Sequence, residues 1–294
     1  MYKCLSVSRL LYKLLVALLI IFLFAIFFIA KTMIFTVSAR KSDEKPVPLP
    51  VIMYHSVCEK TPSTYTITPK QLQCDLAWLK NNGYTSVSAR QLIDYTHGMG
   101  ELPEKAVFIT FDDGFYNNLS LALPLLDKYD MCAVVSIVGR YTDDYAPADP
   151  HADNYSYLTW NDITKLTASG RIEIGSHTYD MHSNKDERQG CAKLPSESIE
   201  KYTEIFSADI GLLKTELIRN CGIAPAIFAY PFGVISRESL PVLRDSGILI
   251  TLTCREKINL ITRNPDCLYG ISRYNRSGLF TTEEYMENLT KNMA

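Results

Sequence analysis

The sequence lacks any surplus of positive charge: 30 lysines and arginines stand against 32 aspartates and glutamates. With no concentrated basic stretch there is no electrostatic case for a nucleic-acid partner, because a phosphate-binding domain carries such a face. It also lacks a C-x-x-C pair. Its eight cysteines are irregularly spaced, which argues against a cysteine zinc site. Seven of them lie beyond Cys4, an odd count that leaves at least one thiol free. Cys254 with Cys267 is a candidate pair, and ordinary buried thiols are the expectation for the rest. Internal repeats and low-complexity tracts are absent too. Histidine is scarce, with five in all and none after His182, so few positions can supply imidazole chemistry.

Hydrophobic length is present at the N-terminus, where "LLVALLIIFLFAIFFIA" (14–30) runs without a charge and "TMIFTV" continues it past Lys31. Spanning hydrocarbon takes roughly 20 apolar residues, so 14–37 reads as a transmembrane anchor or signal segment preceded by a short cytoplasmic stretch, 1–13. An uncleaved single-pass anchor with the large domain extracytoplasmic is favoured. "VSA" before Arg40 would serve as a cleavage site, and cleavage would make the protein secreted. Lysines and arginines flank both sides, so the charge bias on orientation is slight. Residues 38–48, "SARKSDEKPVP", read as a linker, and 49–294 as one domain.

Within that domain strand-like and helix-like segments alternate, the pattern of a parallel α/β fold. Strands are predicted at 49–55, 105–111, 132–139, 171–177, 226–230, 248–253 and 269–273. Helices are predicted after Thr68-Pro69, where Leu72, Leu76 and Leu79 share a face, after Ser88, up to Tyr129 with a break at Pro124, at 160–168, at about 196–219 and near 237–245. The count suits a distorted or incomplete (β/α) barrel. Polar residues fall just past strand ends: His55, Asp112 with Asp113, His177, and the turn after Tyr230. Barrel enzymes assemble their sites at that face.

"SHTYDMH" sets His177 and His182 five residues apart on a tight loop. Two imidazoles and one carboxylate make a three-ligand site with a position left open, as catalytic zinc requires. Asp112 and Asp113 repel each other as neighbours. A metal ligating one while the other stays free relieves the repulsion and divides their roles: Asp113 to hold the ion, Asp112 to accept a proton. Each feature alone also has a structural explanation, a capped turn for "DDG" and a hydrogen-bonded core position for a histidine.

Taken in order, "TFDDG" (110–114), "GSHTYDMH" (175–182) and "FAYPFG" (228–233) resemble the NodB-type polysaccharide deacetylases. The early "VIMYHSV" (51–57) resembles the subgroup with rearranged motifs found in biofilm poly-N-acetylglucosamine deacetylases. The likeness covers about 49–275. It implies a barrel of the NodB type, Asp113, His177 and His182 as ligands of a divalent metal (zinc, with cobalt or nickel as substitutes), Asp112 as general base and His55 as general acid. It further implies an oxyanion donor from the backbone near Phe232, and hydrolysis of N-acetyl groups on a cell-surface or extracellular polysaccharide. One departure stands out, since relatives often carry an arginine before the "YPFG" equivalent where this chain has Phe228 and Ala229. Arg273 in "ISRYN" is a candidate to orient the base instead, with an exposed arginine the alternative. Asp180 is a candidate hydrogen-bond partner for a ligand imidazole, with turn formation the alternative, and Trp160 and Tyr230 are candidates to line a sugar groove, although buried aromatics more often belong to the core.

Two rival classes stay open on the sequence. A glycan-binding protein that keeps the fold without turnover draws support from the missing motif arginine, and two histidines with a carboxylate also make the facial triad of iron oxygenases. Which glycan is used, poly-N-acetylglucosamine, peptidoglycan or acetylated xylan, depends on loops that the motifs leave unspecified.

Overall fold

The computed structural model describes residues 11–12, 15–27, 45–148, 150–184 and 187–291, in two compact units divided between Lys45 and Pro46. In the first, residues 15–27 form a helix, α1. The expected membrane helix over 14–37 is not supported: among the described residues no helix is long and apolar enough to cross a membrane. The rest of that segment lies outside the described residues, as does Cys4.

The second unit opens with β1 (Val47–Leu49), which pairs antiparallel with β11 (Asn259–Ile261). The end of the stretch expected as linker is therefore strand. β2 (Val51–Tyr54), β5 (Thr85–Ser86), β6 (Ala106–Phe111), β7 (Ala133–Ile137), β8 (Ile172–Ser176), β9 (Ile227–Ala229), β10 (Ile250–Leu252) and β12 (Tyr274–Asn275) form the main sheet. Its order is β10-β9-β8-β7-β6-β2-β12, with β5 also on β6, and every pairing is parallel. β3 (Ser56–Val57) and β4 (Thr66–Ile67) pair separately. Parallel sheets carry helices and are buried on both faces, and all six residues of β6 are buried.

The sheet curls until its edges meet at one short segment. Ile271 exchanges hydrogen bonds with Thr251 and Thr253 at the end of β10, while Tyr274 pairs with Ile52 of β2. The strand predicted at 269–273 is this seam, displaced so that its ladder residues are 274–275.

Helices start where the sequence caps them. α2 (Pro69–Asn81), α3 (Ala89–Thr96), α6 (Trp160–Ala168) and α9 (Thr282–Thr290) each begin with a reciprocal capping box, from Thr68, Ser88, Thr159 and Thr281. A π-helical turn (Asn118–Ala122) leads into α4 (Leu123–Lys128), with Pro124 in the first turn where its missing N–H costs nothing. α7 (Ile199–Cys221) ends at the left-handed Gly222, and α8 is Ser239–Asp245. Two helices were not expected, α5 (Gly139–Tyr145) and α9, nor were the short strands β3, β4, β5 and β11.

Strand alternation sorts the core into layers. Val107, Ile109 and Phe111 join Ile52, Tyr54, Ile172 and Ile174 under the helices, whereas Phe108 joins Val51, Val134, Ile227, Ala229, Ile250 and Leu252 inside the barrel. Extending the inner series beyond each strand end reaches His55, Asp112 and His177. Parity thus decides which polar residues face the barrel mouth.

All seven described cysteines are free thiols, Cys254 and Cys267 included. Cys254 lies beside Met53, and Cys267 against Thr262, so the candidate disulfide is not formed. A buried ion pair does the long-range tying. Asp75 of α2 accepts from Arg276 at 2.8 and 3.1 Å, from Tyr54 of β2 and from Thr282 of α9, with the Asp75 and Arg276 side chains fully buried. Replacing Arg276 with methionine strands the carboxylate. Urea denaturation should show a loss of about 3–5 kcal/mol, and a loss below about 1 kcal/mol would contradict this role.

Candidate metal centre

The "DDG" turn after β6 is shaped by two consecutive left-handed residues, Asp113 (φ 72°) and Gly114 (φ 73°). Neighbours on a strand point to opposite faces, and the reversal at Asp113 brings its carboxylate back over the mouth that Asp112 already faces. Gly114 is required there, since a Cβ would lie 3.0–3.3 Å from Ile137. Thr178 (φ 74°) is left-handed as well, an unfavourable state for a β-branched residue, and it sits in the loop that presents both histidines.

Asp113, His177 and His182 come together with their ligand atoms within 4.8 Å of one another. Asp113 Oδ1 is 3.6 Å from His177 Nε2 and 3.3 Å from His182 Nε2. His177 Nδ1 donates to Ala229 O at 2.8 Å, which leaves the Nε2 lone pair directed at Asp113. Tyr141 Oη donates to His182 O and, 3.3 Å from His182 Nδ1, accepts the ring proton there. Its Nε2 is then also a bare lone pair. Three unprotonated donors converge, and burial disfavours the proton that would separate the imidazoles: it pushes His177 down to about 3 and lowers His182 too. Burial, with Asp112 adjacent, raises Asp113 to about 6 although His55 opposes this. A divalent cation fits this donor set and would satisfy all three lone pairs at once. Nothing in the donor set selects zinc over cobalt or nickel.

Asp112 is 2% exposed and is gripped by Arg273 through Nη1–Oδ1 and Nη2–Oδ2 bonds of 2.7 Å each. Arg273 is fully buried in the seam, with Nε on Thr253 O and Nη1 also on Thr110 Oγ1. Burial alone would raise the Asp112 carboxyl, but the guanidinium outweighs it and, with His177, holds the group well below the usual range. Arg273 is therefore no exposed arginine. The guanidinium missing before "YPFG" arrives from the strand that closes the barrel.

His55 is half-buried, its ring 4.8 Å edge-on to Tyr65. Burial lowers its pKa against the pull of Asp113 and Asp112, and His55 follows Tyr54, whose carbonyl accepts from Asp112 N in the β2–β6 register. Phe232 (φ 56°) lies in the turn Pro231–Gly233 with its ring 4.6 Å from His182 and 41% exposed.

Three expectations are corrected. Tyr230 follows Phe228 on the outer parity, is 2% exposed, and bonds Ser239 Oγ in the core, so it cannot line a groove. Trp160 packs on the helical layer with Nε1 on Asp143 at 2.8 Å. Asp180 turns outward to Arg140 and touches neither imidazole. The carboxylate that holds the histidine loop is Asp209 of α7, accepting the N–H groups of Tyr179 and Asp180 at 2.8 Å each. No sequence signal marked it. Also missed were Tyr141 and the rings beside it, Tyr157 (4.5 Å from Tyr141) stacked on Phe115. α5, which carries Tyr141, was itself unpredicted.

The polysaccharide deacetylase family model matches residues 99–250, just over half of the sequence. The chain belongs to the polysaccharide deacetylase family. It is 27% identical over 202 residues to the poly-beta-1,6-N-acetyl-D-glucosamine N-deacetylase of Escherichia coli K12, covering 62% of this chain and only 30% of that relative. The chain thus spans about a third of the length of the E. coli relatives it matches. The Staphylococcus aureus protein of the same name is 23% identical over 218 residues, with 74% of this chain and 70% of the relative covered. Among solved structures, a de-N-acetylase from Aggregatibacter actinomycetemcomitans matches with TM-score 0.69 and 28% identity over 82% of this chain and 99% of that one. IcaB from Ammonifex degensii shares the fold at TM-score 0.69 and 24% identity, covering 85% and 99% of the two chains.

In this deacetylase-family site Tyr141 fixes the tautomer of His182, and losing such a partner weakens metal binding. Tyr141→Phe should lower zinc affinity about tenfold or more in a chelator competition. Unchanged affinity would remove the hydroxyl from the site.

Proposed function

We propose that this protein is a metal-dependent deacetylase that hydrolyses N-acetyl groups on a glucosamine-type polysaccharide and releases acetate. The observation that carries the reading is the three-donor cluster of Asp113, His177 and His182 set beside an arginine-clamped Asp112 at the mouth of a parallel barrel. The names of the relatives support an N-acetylglucosamine polymer as substrate class, which in turn supports action outside the cytoplasm.

Asp113, His177 and His182 would hold the cation, zinc in this reading. When bound it supplies Lewis acidity, lowering the pKa of water towards about 7 and polarising an amide carbonyl. Asp112 acts as the base. Arg273 favours its ionised form and fixes its plane, and each oxygen, bonded once by the guanidinium, keeps a lone pair for an incoming proton. The turn at Phe232 offers main-chain polarity where an oxyanion develops. An amine cannot leave as an anion, so His55, which the charges of Asp113 and Asp112 draw toward the imidazolium against burial, is in this reading the group that, once protonated, donates the proton that lets the nitrogen depart. The binding-only reading loses its support, because the arginine it counted as missing is present as Arg273.

Acetate release from N-acetylglucosamine oligomers, measured after chelation and after zinc is restored, tests the reading. Release should need the metal and vanish in His177→Ala. Asp112→Asn should retain zinc and lose at least about 10²-fold in turnover; full activity in that variant would sink the base assignment. No release by folded, zinc-loaded protein would overturn the deacetylase reading.

A further inference from the structure

His55 is the one proposed catalytic group that no side-chain hydrogen bond holds. Its Nδ1 is buried with no hydrogen-bond partner among the described residues, and its only ring neighbour is Tyr65. The imidazole is therefore aimed by its main chain. That main chain is at a break, since β2 stops at Tyr54 and β3 starts at Ser56, so the peptide groups around His55 leave the main-sheet ladder.

Two fully buried side chains occupy that break. Asn118 Nδ2 donates to His55 O at 3.0 Å, and Asn117 Oδ1 accepts from Val57 N at 3.0 Å. Asn117 Nδ2 also donates to Ser56 Oγ at 2.9 Å and to Asp153 O at 2.8 Å, and Asn118 Nδ2 reaches Asn117 Oδ1 at 3.3 Å. The two amides hold the chain from the carbonyl of His55 onward, at His55 O, Ser56 Oγ and Val57 N. Both come from the loop that carries Asp112 and Asp113, and β6 is itself registered on β2, with Tyr54 opposite Phe111 and Asp112 N on Tyr54 O.

Resting on the deacetylase reading above, we infer that Asn118, with Asn117, is a positioning residue for the acid step: the pair sets where His55 stands relative to the base and the metal ligands. One continuous stretch, "DDGFYNN", then supplies the base, one ligand and the clamp on the acid. Only amine departure needs that acid. A nitrogen leaving group must gain a proton as its bond to the acetyl carbon breaks, whereas a nitrophenolate leaves as a stable anion.

The test compares two substrates on the full chain loaded with zinc, N-acetylglucosamine oligomers and 4-nitrophenyl acetate. Asn118→Ala should lose about a hundredfold on the amide, the scale of a misplacement near 1 Å. It should keep the ester rate and zinc affinity within about threefold. His55→Ala should show the same split, and the double variant should be no worse on the amide than His55→Ala alone, because both changes act on one step. Equal losses on amide and ester, or losses that multiply in the double variant, would overturn the inference. If Asn118→Ala does not fold, Asn118→Asp, which keeps the shape and cannot donate to His55 O when ionised, is read by the same comparison. A wild-type chain that turns over the ester and no amide would instead count against the deacetylase reading itself.

Discussion

The bidentate pair between Arg273 and Asp112 is the interaction on which site and barrel both depend. A carboxylate buried at a strand end is costly unless a charge-assisted donor faces each oxygen, and here the donor comes from the segment that closes the sheet. Residues 271–275 bond β10 on one side and β2 on the other, so a closed barrel is the condition for the guanidinium to reach Asp112. Closure also brings His55, just past β2, and His177, just past β8, around one mouth. Fold stability and the ionisation of Asp112 are thus coupled through a single side chain.

A second constraint is the backbone reversal at Asp113. On an extended strand, adjacent aspartates would face opposite layers, one in the barrel and one under the helices. The left-handed step at Asp113, followed by a glycine that Ile137 leaves no room to replace, converts two sequential residues into two that share a cavity. The strain at Thr178 does similar work in the histidine loop, and Asp209 stabilises that loop by receiving two of its N–H groups. Burial raises the Asp209 carboxyl to about 6, consistent with a group held for its hydrogen bonds rather than its charge. Conformations disfavoured locally persist because the surrounding packing fixes them.

Much of this was legible beforehand. Parallel strands showed as apolar runs, and α2, α3 and α6 were expected where Thr68, Ser88 and Thr159 cap them, because capping is a local interaction that the sequence carries directly; Thr281 carries the same signal, and α9 was not expected. The three metal-site donors were legible through the family resemblance and through their positions at strand ends. Tyr230 was misread for want of one parity step: with Ala229 facing inward, Tyr230 had to face out. For Asp180 the sequence left two roles open, and the choice depends on where Arg140 stands to receive it.

What the sequence by itself determined is what short-range physics and motif order encode: the alternating elements, their caps, and which residue types end the strands. Only the tertiary structure decided the rest. That Arg273 meets Asp112 across 161 positions, that Tyr141 sets the proton on His182 across 41, and that two asparagines grip the main chain at His55 across about 60 all follow from the closure and register of one sheet. Contacts of that span have no local signature, because the free energy that forms them belongs to the packed core rather than to either segment.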